Sequence, residues 1–204
     1  IRLPESRLAE SAEEAAQQAR EIGFPVVMKI VSPDIVHKSD IGGVRVGIWS
    51  EQEATDAYEL MMLRAQRFAP NAVLRGVAVQ EMVRGGAEVI IGSTRDPQFG
   101  PLVMFGLGGI YVEVLRDVSF RIAPFGRGHA REMVDEIRSA PLLRGARGQR
   151  PADLEAIVET LLVVSQLVTD FPEILEMDIN PLKVGAPGEG AVAVDARITI
   201  AEGD

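Results

Sequence analysis

Apolar positions along this chain recur with two periods, and the switches between them mark out its elements. Ala12, Ala15, Ala16, Ala19 and Ile22 follow at helical spacing from Ser11-Ala12-Glu13-Glu14, a capping box. Gly23 closes that helix and Pro25 stops its continuation. From Pro25 to Val31 the period drops to two. Val26, Met28 and Ile30 take one face of a strand, and Val27, Lys29 and Val31 take the other. Val44 to Trp49 predicts a second strand. A second capping box, Ser50-Glu51-Gln52-Glu53, opens a helix carrying Ala54, Ala57, Tyr58, Met61, Ala65 and Phe68, which belong to a core. These elements predict a first α/β lobe over residues 1–74.

Arg75-Gly76 leads into a strand over residues 77–83, opening a second lobe over 75–204. Gly85-Gly86 suits a two-residue hairpin turn, with Ala87 to Gly92 as the return strand. That hairpin would set Val83 opposite Glu88 and bring Glu81 and Glu88 onto one face, where they could bind hydroxyls or metal-linked groups. Pro101 to Phe105 is a buried strand ending at Gly106-Leu107-Gly108-Gly109, with no following helix to make a dinucleotide fingerprint. Ser119 to Ala123 is a further strand with Arg121 in it, and residues 142–148 form a basic, glycine-broken loop. Pro151 starts an amphipathic helix bearing Leu154, Ile157, Val158, Leu161, Val164 and Val168.

The chain closes on Glu176-Met177-Asp178-Ile179-Asn180-Pro181-Leu182, a glycine-rich turn, and the strand Ala191 to Asp195. Met177 and Ile179 point one way, Glu176, Asp178 and Asn180 the other. Folded about Pro187-Gly188, the arms pair so that partner numbers sum to 375, setting Asn180 opposite Asp195. Directly opposed residues hold their Cβ atoms about 4.5–5.5 Å apart. An amide oxygen and a carboxylate then converge, with Asp178 one step away. Such hard oxygen donors suit a magnesium ion that keeps water and takes phosphate oxygens. A polar outer face on an edge hairpin would give the same pattern.

Two further groups add chemistry. Lys29 is a charge in an otherwise apolar strand, either snorkelling to water or aimed at a phosphate. The loop from Ser32 to Gly43 carries His37 and Lys38 and ends in a double glycine, whose N–H groups could approach an anion. A neutral imidazole in such a loop can accept a phosphoryl group, or can simply be solvated.

Composition narrows the classes. The 204 residues are 47% hydrophobic and only 5% aromatic, so an aliphatic core is expected. A net charge of −9 argues against a nucleic-acid partner. Absence of cysteine excludes disulfides, thiolate metal sites and a cysteine nucleophile. No apolar run reaches the roughly 18 residues of a membrane span, and no signal peptide opens the sequence, so a cytoplasmic protein is expected. The missing initiator Met suggests a piece of a longer chain.

The ordered series "GFPVVMK", "SPDIVHKSDIGGV", "VAVQEMVRGGAEVIIG", "GLGGIYVEVLRD", "FRIAP", "LLRGARG" and "EMDINPL…VAVDAR" resembles the ATP-grasp portion of nucleoside-diphosphate-forming acyl-CoA synthetases. The resemblance is greatest to the β subunit or domain of the ADP-forming acetyl-CoA synthetases, relatives of the succinyl-CoA synthetase β subunit, and covers residues 3–200. It implies an α+β ATP-grasp fold whose two lobes close on a nucleotide. It also implies that Lys29 contacts the nucleotide phosphates, and that His37, in the flexible loop over them, is a second, transient phosphohistidine. Gln80, Glu81, Met82 and Val83 would form the adenine-recognising hinge strand, with Glu81 and Glu88 near the ribose. Asn180 and Asp195 match magnesium ligands, and Asp178 an acid that holds the phosphohistidine. The implied cofactors are ATP or ADP and Mg²⁺, with CoA bound by a partner α subunit or domain that also carries the main phosphohistidine. The family motif gives no role for Glu113, Arg121 or Arg144. A non-catalytic nucleotide-binding module, such as one fused to a protein acetyltransferase, stays open as an alternative. A biotin-carboxylase-like ligase fits less well, because the loop His and the "DINPL" motif belong to the CoA-ligase branch.

Overall fold

The computed structural model describes residues 1–35, 38–109, 112, 115–148 and 150–201. Among these residues the chain makes ten strands and five helices in two compact units, residues 4–83 and residues 84–204 together with 1–3. Each unit is an antiparallel sheet with helices packed on one face, an α+β arrangement as expected. No described helix is long and apolar enough to cross a membrane.

The first unit contains β1 (Ser6–Ala9), α1 (Ala12–Ile22), β2 (Val26–Val31), β3 (Val44–Ile48), α2 (Glu51–Phe68) and β4 (Gly76–Glu81). Both predicted caps form: the N–H of Glu14 donates to Ser11 Oγ at 3.1 Å, and that of Glu53 to Ser50 Oγ at 3.2 Å. The glutamates reach back in turn to the N–H groups of Glu10 and Trp49. These reciprocal bonds satisfy donors that a helix start otherwise leaves orphaned. In the sheet, ordered β1-β4-β2-β3, Val26, Met28, Ile30, Val77 and Val79 bury against Ala15, Ala19, Ala54, Met61 and Ala65.

The second unit has β5 (Ala87–Asp96), β6 (Gly100–Leu107), β7 (Val118–Ile122), α3 (Arg127–Glu136), α4 (Ala140–Leu143), α5 (Leu154–Asp170), β8 (Ile174–Val184), β9 (Ala191–Ala193) and β10 (Ala196–Ile200). Its sheet runs β10-β8-β5-β6-β7, with β9 also paired to β8. Ile157, Leu161, Val164 and Val168 of α5 and Met133 of α3 pack on Val89, Ile91, Val103, Phe105, Ile179 and Leu182. Full burial of such a side chain is worth about 1.5–3 kcal/mol. Helix α5 begins at Leu154, not at Pro151, because Asp153 supplies its cap by accepting the Ala156 N–H at 3.1 Å.

One expected pairing does not form. Strand β4 pairs with β1 and β2, and β5 with β6 and β8, so Gly85-Gly86 joins the two units instead of turning a hairpin. The division accordingly falls after Val83 instead of after residue 74. Glycine at 86 has another cause: φ is +80°, and a Cβ would lie 2.6 Å from the Val184 carbonyl oxygen. Gly85 shares the positive φ, but a Cβ there would meet nothing within 4 Å. Gly86→Ala is therefore expected to cost more than Gly85→Ala, which carries only the left-handed penalty of about 1–2 kcal/mol. Urea midpoints of the two variants compare them directly, and equal midpoints would contradict the close-approach explanation.

Candidate functional site

The predicted register of the last hairpin is observed. Leu182 pairs with Ala193, Ile179 with Ala196, Asp178 with Arg197 and Glu176 with Thr199, each sum being 375. Between the two paired stretches, the Asn180 N–H donates to the Asp195 carbonyl and the Val194 N–H to the Pro181 carbonyl, both at 3.0 Å. Asn180 and Asp195 are thus cross-strand neighbours, both exposed, with Asp178 partly buried two residues earlier on β8.

Long-range bonds hold this hairpin to helix α5. Asp153 caps the helix through Oδ1, while its Oδ2 accepts the N–H groups of Gly188 at 2.8 Å and Gly190 at 3.1 Å. The Asp153 N–H donates to the Gly185 carbonyl at 2.8 Å. Burial pushes this carboxyl up, but the N–H donors of Ala156, Gly188, Gly190 and Glu155 outweigh it and hold it below the ordinary aspartate value.

The electrostatics around Asp178 differ. Burial raises its carboxyl first, the charge of Asp195 adds to the rise, and Arg197 across the strand pair opposes it. Gly92 lies opposite Asp178 on β5, and a Cβ there would come within 3.9 Å of Asp178 Oδ1, so glycine keeps the space beside the acid open.

The donor set offers one amide oxygen and one carboxylate on an exposed hairpin, and no group of three or more His, Cys, Asp or Glu able to hold a metal occurs among the described residues. Two protein oxygens are too few for a calcium cage. They fit Mg²⁺, which usually keeps waters and takes phosphate oxygens as its remaining ligands.

In the first unit Lys29 pairs with Ala78, and Val27 with Gln80. Lys29, Ala78 and Gln80 thus share the sheet face opposite the α1–α2 core, Gln80 buried and Lys29 partly so. Glu81 has the opposite parity. Its N–H donates to the Glu5 carbonyl at 2.8 Å, and its Oε2 accepts the Glu5 N–H at 3.4 Å. Met82 and Val83 follow the strand end, partly buried. At the loop after β2, Asp34 accepts the Val73 N–H at 2.7 Å. The Gly42 and Gly43 N–H groups donate to the Ser39 and Lys38 carbonyls, so the double glycine closes a 3-10 turn rather than presenting those donors to an anion. Gly42 is favoured for a different reason: its φ of +67° is a left-handed conformation that other residues adopt only with strain. His37 and Glu113 lie outside the described residues.

Because the β4–β5 hairpin does not form, Glu81 and Glu88 stand on separate sheets instead of on one hairpin. Glu88 is paired instead with Lys183 across β5 and β8, at 3.3 Å. Arg121 pairs with Glu136 and Glu132 of α3, and Arg144 with Asp135, which gives both arginines structural partners.

Two antiparallel α+β units are the architecture that the resemblance implies. Comparison with known proteins agrees. The model of the ATP-grasp domain family matches residues 1–200. The chain is 50% identical to the acetate–CoA ligase [ADP-forming] I subunit beta of Pyrococcus furiosus, over 98% of this chain and 85% of that one. It is 51% identical to acetate–CoA ligase [ADP-forming] I of Archaeoglobus fulgidus, over 96% of this chain but only 28% of the longer protein. Acetyl-coenzyme A synthetase 1 of Ca. Korarchaeum cryptofilum, solved with coenzyme A and Ca-AMPCP, superposes with a TM-score of 0.95 at 49% identity, over 98% of this chain and 87% of that one. Another structure of that protein contains coenzyme A and Mg-AMPPCP, with a phosphohistidine segment pointing towards the nucleotide binding site. The chain belongs to the ATP-grasp family, in the branch of the ADP-forming acetate–CoA ligase β subunits and domains.

Proposed function

We propose that this chain is the nucleotide half of an ADP-forming acyl-CoA ligase, acetyl-CoA synthetase in type, whose CoA-binding partner is an α subunit or a fused domain. The reading rests on one observation above the others: β8 runs in the register that sets Asn180 against Asp195 beside Asp178, in a chain half identical to a ligase β subunit. Asn180 and Asp195 would hold Mg²⁺, which when bound supplies positive charge against the nucleotide phosphates. Lys29 would add its ammonium to the same phosphates. The backbone edge at Gln80 to Val83 would orient the base, with Glu81 near the ribose. Glu88, which faces Lys183 at 3.3 Å, would also lie near the ribose.

The chemistry is phosphoryl transfer without redox change. A neutral His37 nitrogen attacks the phosphorus of the partner's phosphohistidine, forming one N–P bond as the other breaks. A terminal phosphate oxygen of ADP then attacks, the His37 N–P bond breaks, and ATP leaves with the imidazole restored. Asp178 would help hold the partner's phosphohistidine. Positioning and charge neutralisation carry such a reaction.

His37→Ala in the full-length protein tests this. Single-turnover ATP formation from ADP should be lost while Mg-nucleotide binding persists. Turnover at the wild-type rate would instead mark the chain as a nucleotide-sensing module.

A further inference from the structure

Strand β9 is short and pairs with β8 along one edge, Leu182 facing Ala193 and Val184 facing Ala191. The N–H groups of an antiparallel strand alternate between its two edges. That of Val194 turns to the Pro181 carbonyl of β8, so that of Ala193 turns outward. There it donates to the Arg2 carbonyl at 2.9 Å, and Arg2 lies beside Val192 in a parallel bridge. Ile1 to Leu3 are thus built into the second unit, although residues 4–83 form the first. Leu3 precedes Pro4, a position that disfavours helical backbone and keeps the chain extended, as a bridge to a strand requires.

Ala193 is 2% exposed, and a buried N–H without an acceptor costs free energy, so this donor holds the Arg2 segment in place. Asp195 stands two residues further on, between β9 and β10, and belongs to neither strand. On the β8 side its carbonyl accepts the Asn180 N–H. The two arms of the hairpin are not equally supported. Strand β8 has β5 beside it from Ala87 to Thr94, and the second passage between the units, through Gly86, ends on that pairing at Val184. Among the described residues β9 pairs with no second strand, and Arg2 occupies its outer edge.

We propose that Arg2 is a positioning residue for the magnesium site: its carbonyl anchors β9, so that the Asp195 carboxylate stays beside Asn180 before the metal arrives. The inference rests on the function proposed above and adds a residue to it. Arg2 acts through its backbone and touches neither metal nor nucleotide. Without the anchor the bend at 194–195 gains freedom, and the metal must order it on binding. That ordering weakens magnesium affinity, as loss of preorganisation does generally. Once magnesium saturates, the site is the same as before and the rate returns.

The test replaces Leu3, in the full-length protein with its CoA-binding partner, by the corresponding α-hydroxy acid. The Arg2 carbonyl becomes an ester carbonyl, a weaker acceptor, and every side chain stays. The Leu3 N–H that is lost makes no hydrogen bond among the described residues. The readouts are the apparent magnesium dissociation constant at fixed ADP, single-turnover ATP formation at saturating magnesium, and hydrogen exchange at the Ala193 N–H. The magnesium constant should rise about three- to tenfold, the effect of one hydrogen bond. Ala193 should exchange faster, and the rate at saturating magnesium should stay near wild type. In an Asp195→Ala background the ester should add nothing to the weak magnesium binding that remains, because Arg2 acts through that carboxylate. An unchanged magnesium constant would overturn the positioning role. So would an ester effect of full size in the Asp195→Ala background, which a general loosening of the unit would give. A wild-type protein whose ADP binding ignores magnesium would instead bring down the underlying function.

Discussion

Replacing Asn180 and Asp195 together by alanine in the full-length protein is expected to abolish magnesium-dependent ATP formation while the second unit stays folded. Both side chains are exposed, and neither belongs to the aliphatic core between the sheet and helices α3 and α5. The bonds that set the hairpin register are backbone bonds, from Asn180 to Asp195 and from Val194 to Pro181, and they survive both substitutions. What disappears is a pair of hard oxygen donors. Losing one preorganised charge-stabilising contact typically costs about 10²–10³ in rate, so the double variant should fall at least that far. Single-turnover ATP formation read beside a thermal unfolding curve separates chemistry from stability. Full activity in the double variant would end the assignment of these residues.

Asp153→Ala should produce the largest loss of stability among the polar substitutions considered. Removing an N-cap costs about 0.5–2 kcal/mol, and leaving donors unsatisfied costs roughly 1–3 kcal/mol more. Here one carboxylate serves both the α5 cap and the turn of the Asn180–Asp195 hairpin. A total of about 2–4 kcal/mol follows, measurable by urea unfolding. The pH dependence has a definite sign. The folded carboxyl is held below the ordinary value, so its contribution is full above about pH 4 and is lost as pH falls through the folded-state value. Asp153→Ala should flatten that part of the acid limb, whereas Asp153→Asn should keep part of the cap and lose the titration. An unchanged acid limb in Asp153→Ala would show that the stability resides elsewhere.

Local signals carried much of this structure. The Ser11 and Ser50 caps, the alternation from Val26 to Val31 and the turn at Pro187-Gly188 each depend on residues a few positions apart, and each forms as its chemistry dictates. The hairpin register was legible because one turn fixes every pair that follows it. What stayed hidden depends on partners distant in sequence. Residues 77–81 read correctly as a strand, but its neighbours are β1 and β2, and nothing near Gly85-Gly86 discloses that those glycines serve a close approach to Val184. The role of Asp153 was not legible either, because its bonds to Gly188 and Gly190 span more than thirty positions.

The central claim is that this chain carries a magnesium-dependent nucleotide site. Calorimetric titration of ADP, ATP and GDP into the full-length protein, with Mg²⁺ and then with EDTA, tests it most directly. Saturable ADP or ATP binding with Mg²⁺, sharply weakened by EDTA and by Asp195→Ala, is the predicted result. Binding that is indifferent to both, or no binding at all, would contradict it.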